Sequence, residues 1–434
     1  MDYSQSLSWL YHTIGKGIKL GLNNTTRILD MLGNPHQTYP TVLVGGTNGK
    51  GSVSCFLAYI LSQAGLKVGL YTSPHLVTVR ERISLVEKGI RRIISPPSFS
   101  RLLEKVREVV ENSSLNPTYF EILTVSSLLY FSWRKVEVGI LEVGMGGRLD
   151  STNVVTPLLS IITNVSFDHM RYLGNTLRDI AREKGGIIKE NVPLITGAEG
   201  EALEVLEDIA SRCGSPIFIL GRDFRVGKVA SYSKDEIRVD VEGLKGRYSL
   251  RSSLYGEFQA KNIALAVAGA EILSSTFPKI SKRSIIEGIR KTRWPGRMEI
   301  VRKKPLIILD GAHNEESIRW LVREIEKWKG KGRKITLIFG VLKDKEAERI
   351  INLLFPHVDE IRLTQPATSR AFPLSKLLEK SEKFSEKIRC YPRVKDALLK
   401  LPFQNIILVT GSLYLVGEVR RELRKLKGDG YEGI

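Results

Sequence analysis

The chain has 434 residues, 42% of them hydrophobic and 26% charged, a composition long enough for two cores and unlike that of a disordered or membrane-embedded protein. A formal charge of +19 admits nucleic acid as a partner, but the cations alternate with Glu, as in REIEKWKGKGRK and KLLEKSEKFSEK, the pattern of solvated helix faces. Cys55, Cys213 and Cys390 are too scattered for a CxxC pair or a zinc set, so they read as buried or idle thiols.

The first residues, MDYSQSLSWLYHTIGKG, lack the basic and apolar regions of a signal peptide, and later apolar runs fall short of the ~20 residues of a membrane span. A cytoplasmic protein is expected. From Thr41 onward short β-branched runs alternate with segments of helical period, which predicts an α/β fold on a mainly parallel sheet. Strands are expected at 41–44, 67–71, 136–143 and 158–163, with helices at 51–64, 98–111, 119–133 and 176–184. Between 222 and 251 the pattern changes to alternation broken by turn residues, which predicts an appended antiparallel meander.

Helices are then expected at 258–273 and 284–291. The stretch Arg293-Trp294-Pro295-Gly296-Arg297 breaks both helix and strand and reads as an interdomain linker. Beyond it, strands at 306–309, 334–339, 360–363, 387–390 and 405–409, separated by helices, predict a smaller doubly wound domain. Two domains are therefore expected, 1–296 and 297–434.

Directly after the first strand stands Gly45-Gly46-Thr47-Asn48-Gly49-Lys50-Gly51-Ser52. In a strand-loop-helix context this is a phosphate-binding loop: glycines turn backbone N–H groups toward phosphate, Lys50 offers a point charge and a hydroxyl reaches Mg²⁺. It departs from GxxxxGK[ST], because three residues separate Gly45 from Gly49 and Gly51 stands between Lys50 and Ser52. After the strand at 136–143 comes LEVGMGGRLD, where Glu142 ends a parallel strand beside the loop strand, a place suited to a nucleotide metal. After the strand at 158–163 comes TNVSFDH, where a neutral His169 could add a further metal ligand. No HxxxH or HxH spacing exists, so no zinc hydrolase site is present.

The blocks GTNGKGS, TSPHL, LEVGMGGRLDSTN, DHMRYLGNT, EKGGIIK, PGRME, LDGAHN and GSLYLVGE, with the Phe120-Glu121 helix start, resemble those of folylpolyglutamate and dihydrofolate synthases of the Mur ligase superfamily. The resemblance covers most of the chain. It implies a P-loop ATPase-like parallel-sheet domain with its meander, followed by a Rossmann-like glutamate-ligase domain. It also implies an ATP-dependent ligase that joins L-glutamate to tetrahydrofolate or dihydropteroate, acts as a monomer and binds neither nucleic acid nor membrane.

Carried over by position, the ATP contacts implied are Gly46, Thr47, Asn48, Gly49, Lys50, Gly51, Ser52, Asn262, Arg297 and Asp310. Ser73, Glu142 and His169 match the ligands of Mg²⁺, with two ions expected, and Lys184 matches a lysine carbamylated in relatives. Lys50, Lys184 and His313 are the catalytic expectations, and Phe120, Arg148, Asp150, His313 and Ser412 the substrate-binding ones. His313 and Asn314 follow Asp310 at a strand-to-helix turn, where exposed N–H groups could receive an anion such as glutamate; an N-cap role fits Asn314 equally well. Relatives read EKAG and GLGGRLDATN where this chain has EKGG and GMGGRLDSTN; Gly186 and Ser151 remove no proposed ligand. The alternatives are another Mur-type ligase, acting on a cell-wall or cyanophycin-like acceptor, and a P-loop nucleic-acid ATPase suggested only by charge.

Overall fold

The computed structural model describes residues 2–231 and 236–425. Its first sheet contains β1 (Thr41–Gly45), β2 (Val68–Tyr71), β3 (Ile83–Glu87), β4 (Ile90–Ile93), β5 (Val138–Glu142), β6 (Leu159–Ile162), β7 (Leu194–Thr196) and β8 (Ile217–Ile219). Their order is β4-β3-β2-β5-β1-β6-β7-β8. The run from β2 to β8 is parallel, and β3 and β4 pair antiparallel at one edge. That edge hairpin was not expected; its ISLVEKGIRRI run turns at Lys88-Gly89, both at positive φ.

Side-chain alternation assigns the central strand to two cores. Val42 and Val44 face the cluster built from the helices Lys50–Gln63, Phe258–Leu273 and Lys282–Lys291. Leu43 faces the cluster that includes Pro96–Glu111 and Tyr119–Trp133. A strand buried on both faces needs a continuous apolar run, and TVLVG is buried throughout.

The meander is present as β9 (Arg225–Ser231), β10 (Ile237–Glu242) and β11 (Arg247–Ser252), paired antiparallel; Tyr232 to Asp235 of that expected segment lie outside the described residues. Val239, Val241 and Leu250 seat it on the first core.

The second sheet holds β12 (Glu299–Lys303), β13 (Leu306–Leu309), β14 (Ile335–Phe339), β15 (Glu360–Thr364), β16 (Ile388–Tyr391) and β17 (Ile406–Thr410), in the order β12-β13-β17-β14-β15-β16. It is parallel except for β12, which pairs antiparallel with β13. The doubly wound C-terminal domain is as expected, but β12 was not among the expected strands, because RMEIVRKK alternates weakly and reads as loop. No helix among the described residues is long and apolar enough to cross a membrane.

In the first sheet β1 stands between β5 and β6, and the chain runs from β1 to β2 on one side and reaches β6 on the other. Such a point of reversal leaves a crevice outside the carboxyl ends of the strands. The loops after β1, β5 and β6 all open there.

Close helix packing supports this crevice from beneath. Gly288 lies where an added Cβ would overlap the backbone of Ile60 on the helix that follows the phosphate-binding loop. Gly288→Ala is therefore expected to cost about 1–3 kcal/mol by overpacking, measured as a lower denaturant midpoint at unchanged slope.

Candidate active site

The loop from Gly46 to Gly49 depends on two residues without side chains. Gly46 has φ 129°, and a Cβ there would overlap Thr163 Oγ1; Gly49 has φ 85°, and a Cβ there would overlap Asn262 Oδ1. Only glycine combines that conformation with that closeness. The helix Lys50–Gln63 starts from Gly49 without a side-chain cap, so its first N–H groups point into the crevice as anion donors.

The loop is fixed by the segment after β6. Asn164 Oδ1 accepts from Thr47 N (3.2 Å) and Asn48 N (2.9 Å), and Thr163 Oγ1 donates to the Asn48 carbonyl (2.6 Å). Neither residue was singled out from sequence. The available signal was Thr-Asn at the end of a buried strand, a pair that hydrogen-bonds neighbouring backbone.

Two lysines converge on the loop. Lys50 Nζ donates to the carbonyls of Gly46 (3.1 Å) and Thr47 (3.0 Å), and Lys184 Nζ donates to that of Gly46 (2.8 Å). Lys184 is 3% exposed. Burial, then the nearby Lys50 charge, push its pKa down to about 7, against a weaker opposing pull from Asp168. Burial also lowers Lys50, partly offset by Glu142.

Glu142 at the end of β5 is buried, and Oε2 accepts from Ser73 N (2.9 Å). Desolvation raises its pKa while Lys50 opposes the shift. His169, at φ 51°, stands beyond β6, where burial pushes its pKa down to about 4 and keeps the imidazole neutral.

A cavity of about 330 Å³ is lined by Gly46 through Ser52, Ser73, Glu142, His169, Lys184, Asn262, Arg297, Asp310 and His313. The structure thus brings together every residue for which a nucleotide, metal or catalytic role was expected. Burial lowers the pKa of Arg297, with Asp310 and Glu142 opposing. The Asp310 carboxylate accepts from the N–H groups of Met298 (3.0 Å) and Ala312 (2.9 Å), so it also braces the segment that joins the two sheets. Asn262 Nδ2 donates to Gln259 Oε1 (2.9 Å).

A neighbouring cavity of about 290 Å³ is lined by Phe120, Asp150, His313 and Ser412, together with Ile18, Leu20, Met145 and Tyr414. Asp150 is less free than expected: its carboxylate accepts from Met145 N (2.9 Å), Thr152 N (3.0 Å) and Thr152 Oγ1 (2.6 Å), which holds the GMGG turn. Ser412 Oγ accepts from Leu415 N (3.1 Å) and caps the last helix.

Arg148 is the expected site residue that the structure does not bring to the others. It lines neither cavity, and its guanidinium is held at the exposed surface by Glu183 Oε1 (3.1 and 2.8 Å). Its backbone N–H also donates to the Glu183 carbonyl (2.8 Å), so the residue packs the GMGG turn against the helix that carries Lys184.

His313 Nδ1 donates to the Gly311 carbonyl (2.6 Å), which leaves Nε2 as an acceptor. Burial and the Lys345 charge push its pKa down to about 4. Asn314 is an N-cap, its side chain accepting from Ser317 N (3.0 Å), and it also donates to Asn48 Oδ1 (3.0 Å) across the domains.

Two further interdomain contacts escaped the sequence. Glu316, in the first turn of the helix Glu315–Lys329, accepts from Asn48 Nδ2 (2.7 Å), Asn164 Nδ2 (2.9 and 2.8 Å) and Ser166 Oγ (2.7 Å). Lys345 pairs with Asp168 at 2.7 Å, both nearly buried, and this cation holds the Asp168 carboxyl well below the usual range against the effect of burial. Both partners in each contact lie more than 140 positions apart, so no local pattern announces them.

Residues 44–270 match the Mur ligase middle domain, and residues 296–413 match the Mur ligase glutamate ligase domain. The chain belongs to the Mur ligase family. Within it, the chain is 35% identical to a dihydrofolate synthase/folylpolyglutamate synthase of Bacillus subtilis, over 97% of this chain and 99% of that one. Among solved Mur ligase structures, folylpolyglutamate synthase from Thermotoga maritima superposes with a TM-score of 0.84 at 35% identity, covering 98% of this chain and 97% of that one. Mycobacterium tuberculosis folylpolyglutamate synthase, complexed with ADP and AMPPCP, superposes with a TM-score of 0.87 at 27% identity, covering 99% and 100%. A Mur ligase of this kind is an ATP-dependent ligase.

Glu316 joins the Gly46–Gly49 loop to the second domain through hydrogen bonds to a charged acceptor, worth roughly 1.5–3 kcal/mol each. Glu316→Ala is expected to weaken ATP-analogue binding about tenfold or more, the equivalent of ~1.4 kcal/mol, in a calorimetric titration. Unchanged affinity would show that the seam is passive.

Proposed function

We propose that this Mur ligase adds L-glutamate to the carboxylate of a folate or dihydropteroate, through an acyl-phosphate formed with ATP. The observation that carries the reading is the junction of two cavities at Ser73, Pro74, His169, His313 and Leu413, which line both. One cavity has the phosphate loop, and the other has an apolar wall with Phe120 that suits a flat ring. The acceptor's carboxylate then reaches the γ-phosphate at their junction.

The N-terminal part, through residue 296, would bind ATP, and residues 297–434 would bring the glutamate. Gly46 through Ser52 would cradle the phosphates, with Lys50 offsetting their charge. Asn262, Arg297 and Asp310 would contact the nucleotide as the second domain closes. Closure also keeps water from the acyl-phosphate. Neutral His313 beside Lys345 provides an acceptor and a cation where glutamate's amine and carboxylates arrive.

The metal roles rest on Ser73, Glu142 and His169, which line the nucleotide cavity. Among the described residues no three of His, Cys, Asp and Glu gather closely enough to hold a metal unaided. That donor set fits Mg²⁺, which takes few protein ligands and completes its shell with water and phosphate oxygens. Bound there, Mg²⁺ would offset charge on the transferring phosphoryl group.

The test is ADP release with ATP and Mg²⁺, adding glutamate and dihydropteroate or tetrahydrofolate separately and together. Appreciable turnover is expected only when acceptor and glutamate are both present. Turnover that ignores either one would sink the ligase reading, and stimulation by DNA would favour the nucleic-acid alternative.

Lys184 is proposed to act as a carbamate. With a pKa near 7, the amine is largely unprotonated at pH 8 and can attack CO₂; the product keeps one N–H for the Gly46 carbonyl and presents anionic oxygens to a hard cation. Below pH 7 the amine becomes a cation and the carbamate is lost. Activity is therefore expected to fall from pH 8 to pH 6 and to be partly restored by added bicarbonate. Lys184→Ala should be folded, nearly inactive and partly rescued by a short carboxylic acid; near-normal activity of this variant would end the proposal.

A further inference from the structure

The loop after β2 borders a third cavity whose chemistry the site above does not use. It measures about 60 Å³ and is lined by Arg80, Arg91, Arg297, Arg420 and Arg424, with Trp294 and Pro295 of the interdomain segment beside them. Pro74 and Leu413 line this cavity as well as the other two, and Arg297 lines it together with the nucleotide cavity. It therefore adjoins the place where the acceptor's carboxylate is proposed to be activated.

Among the described residues its charge is only partly balanced: Arg420 pairs with Glu299, and Asp310 and Glu142 lie near Arg297. Glu81 is the one carboxylate among the described residues that line it, and that group already accepts from the N–H groups of Leu76 (2.9 Å), Val77 (3.1 Å) and Thr78 (2.9 Å). Glu299 lies next to the cavity and binds only Arg420, at 2.7 and 2.8 Å, among these arginines. His75 also lines the cavity, but burial pushes its pKa down to about 3, so it adds no cation and no acid. Arg424 has no hydrogen bond or ion pair to any other described residue. Arg420 is 9% exposed, and its Nε is buried with no hydrogen-bond partner; Arg80 Nε is in the same condition.

Gathered guanidinium groups repel one another, and an unpaired buried N–H is costly. A planar anion removes both costs, and arginine forks match carboxylates geometrically. The volume is ample for a small planar anion such as a carboxylate.

Resting on the proposed ligase function, we infer that this pocket holds a free carboxylate of the acceptor's glutamyl tail. A glutamyl residue has two carboxylates, one on the side chain and one on the main chain, and extension through an amide consumes one. The other remains as an anion beside the reaction centre, and every added residue leaves one more. An acceptor without glutamate has no such group. The pocket therefore favours glutamylated acceptors over dihydropteroate.

The experiment measures kcat/KM for a triglutamylated folate and for dihydropteroate, with wild type, Arg424→Gln and Arg420→Gln. Arg424 has no hydrogen bond or ion pair among the described residues, so its variant remains informative if Arg420→Gln fails to fold. The ratio of the two kcat/KM values is expected to fall about tenfold or more in Arg424→Gln, equivalent to ~1.4 kcal/mol of lost discrimination. A ratio unchanged within about twofold overturns the inference. Calorimetry with a free glutamate tripeptide and with inorganic phosphate separates the two sources of anion: tripeptide binding weakened in Arg424→Gln supports the tail. Phosphate binding alone, with the ratio unchanged, identifies a general anion pocket and overturns it. Absence of turnover with every acceptor in wild type refutes the ligase reading itself.

Discussion

A single carboxylate ties the two halves of this molecule together at the point where chemistry would occur. Glu316 belongs to the second domain, yet its oxygens are surrounded by amide and hydroxyl donors of the first: Asn48 in the phosphate loop, and Asn164 and Ser166 behind it. Asn164 in turn accepts from the loop's own N–H groups. The loop's shape is thus set by a network that is complete only when the second domain is docked. A neutral side chain at 316 would not balance so many donors. A lysine would invert the network.

The charges around the loop are arranged to oppose one another. Lys50 and Lys184 share one acceptor carbonyl, Glu142 faces Lys50, and Lys345 faces Asp168. In a poorly solvated crevice each of these groups would be costly alone. Together they form a lattice of fixed charges that needs little rearrangement when a phosphoryl group moves, which is how preorganised sites lower barriers.

Local pattern made the strands around the loop readable. TVLVG followed by GTNGKGS announces both a buried strand and an anion-binding turn, and the helices at 119–133 and 258–273 were legible to the residue. The edge hairpin of β3 and β4 and the first strand of the second sheet were not, because their sequences are polar or weakly alternating and tertiary pairing decides them. The same division runs through the site. Residues in motifs were found, whereas Glu316 and Lys345 were invisible because their meaning depends on partners far away in the chain. Arg148 shows the reverse case, a motif residue whose side chain turns outward to Glu183.

The carbonyl of Gly46 accepts from two lysines at once, at 3.1 Å from Lys50 and 2.8 Å from Lys184. Gly46 is also the residue whose φ of 129° no side chain would tolerate beside Thr163. The most conformationally particular peptide of the loop is therefore wired to the charge state of a buried amine. Adding or removing one unit of charge on Lys184 alters how strongly Lys50 is drawn to that same oxygen. On the proposed carbamate at Lys184, dissolved carbon dioxide and proton concentration would become inputs to the grip on phosphate.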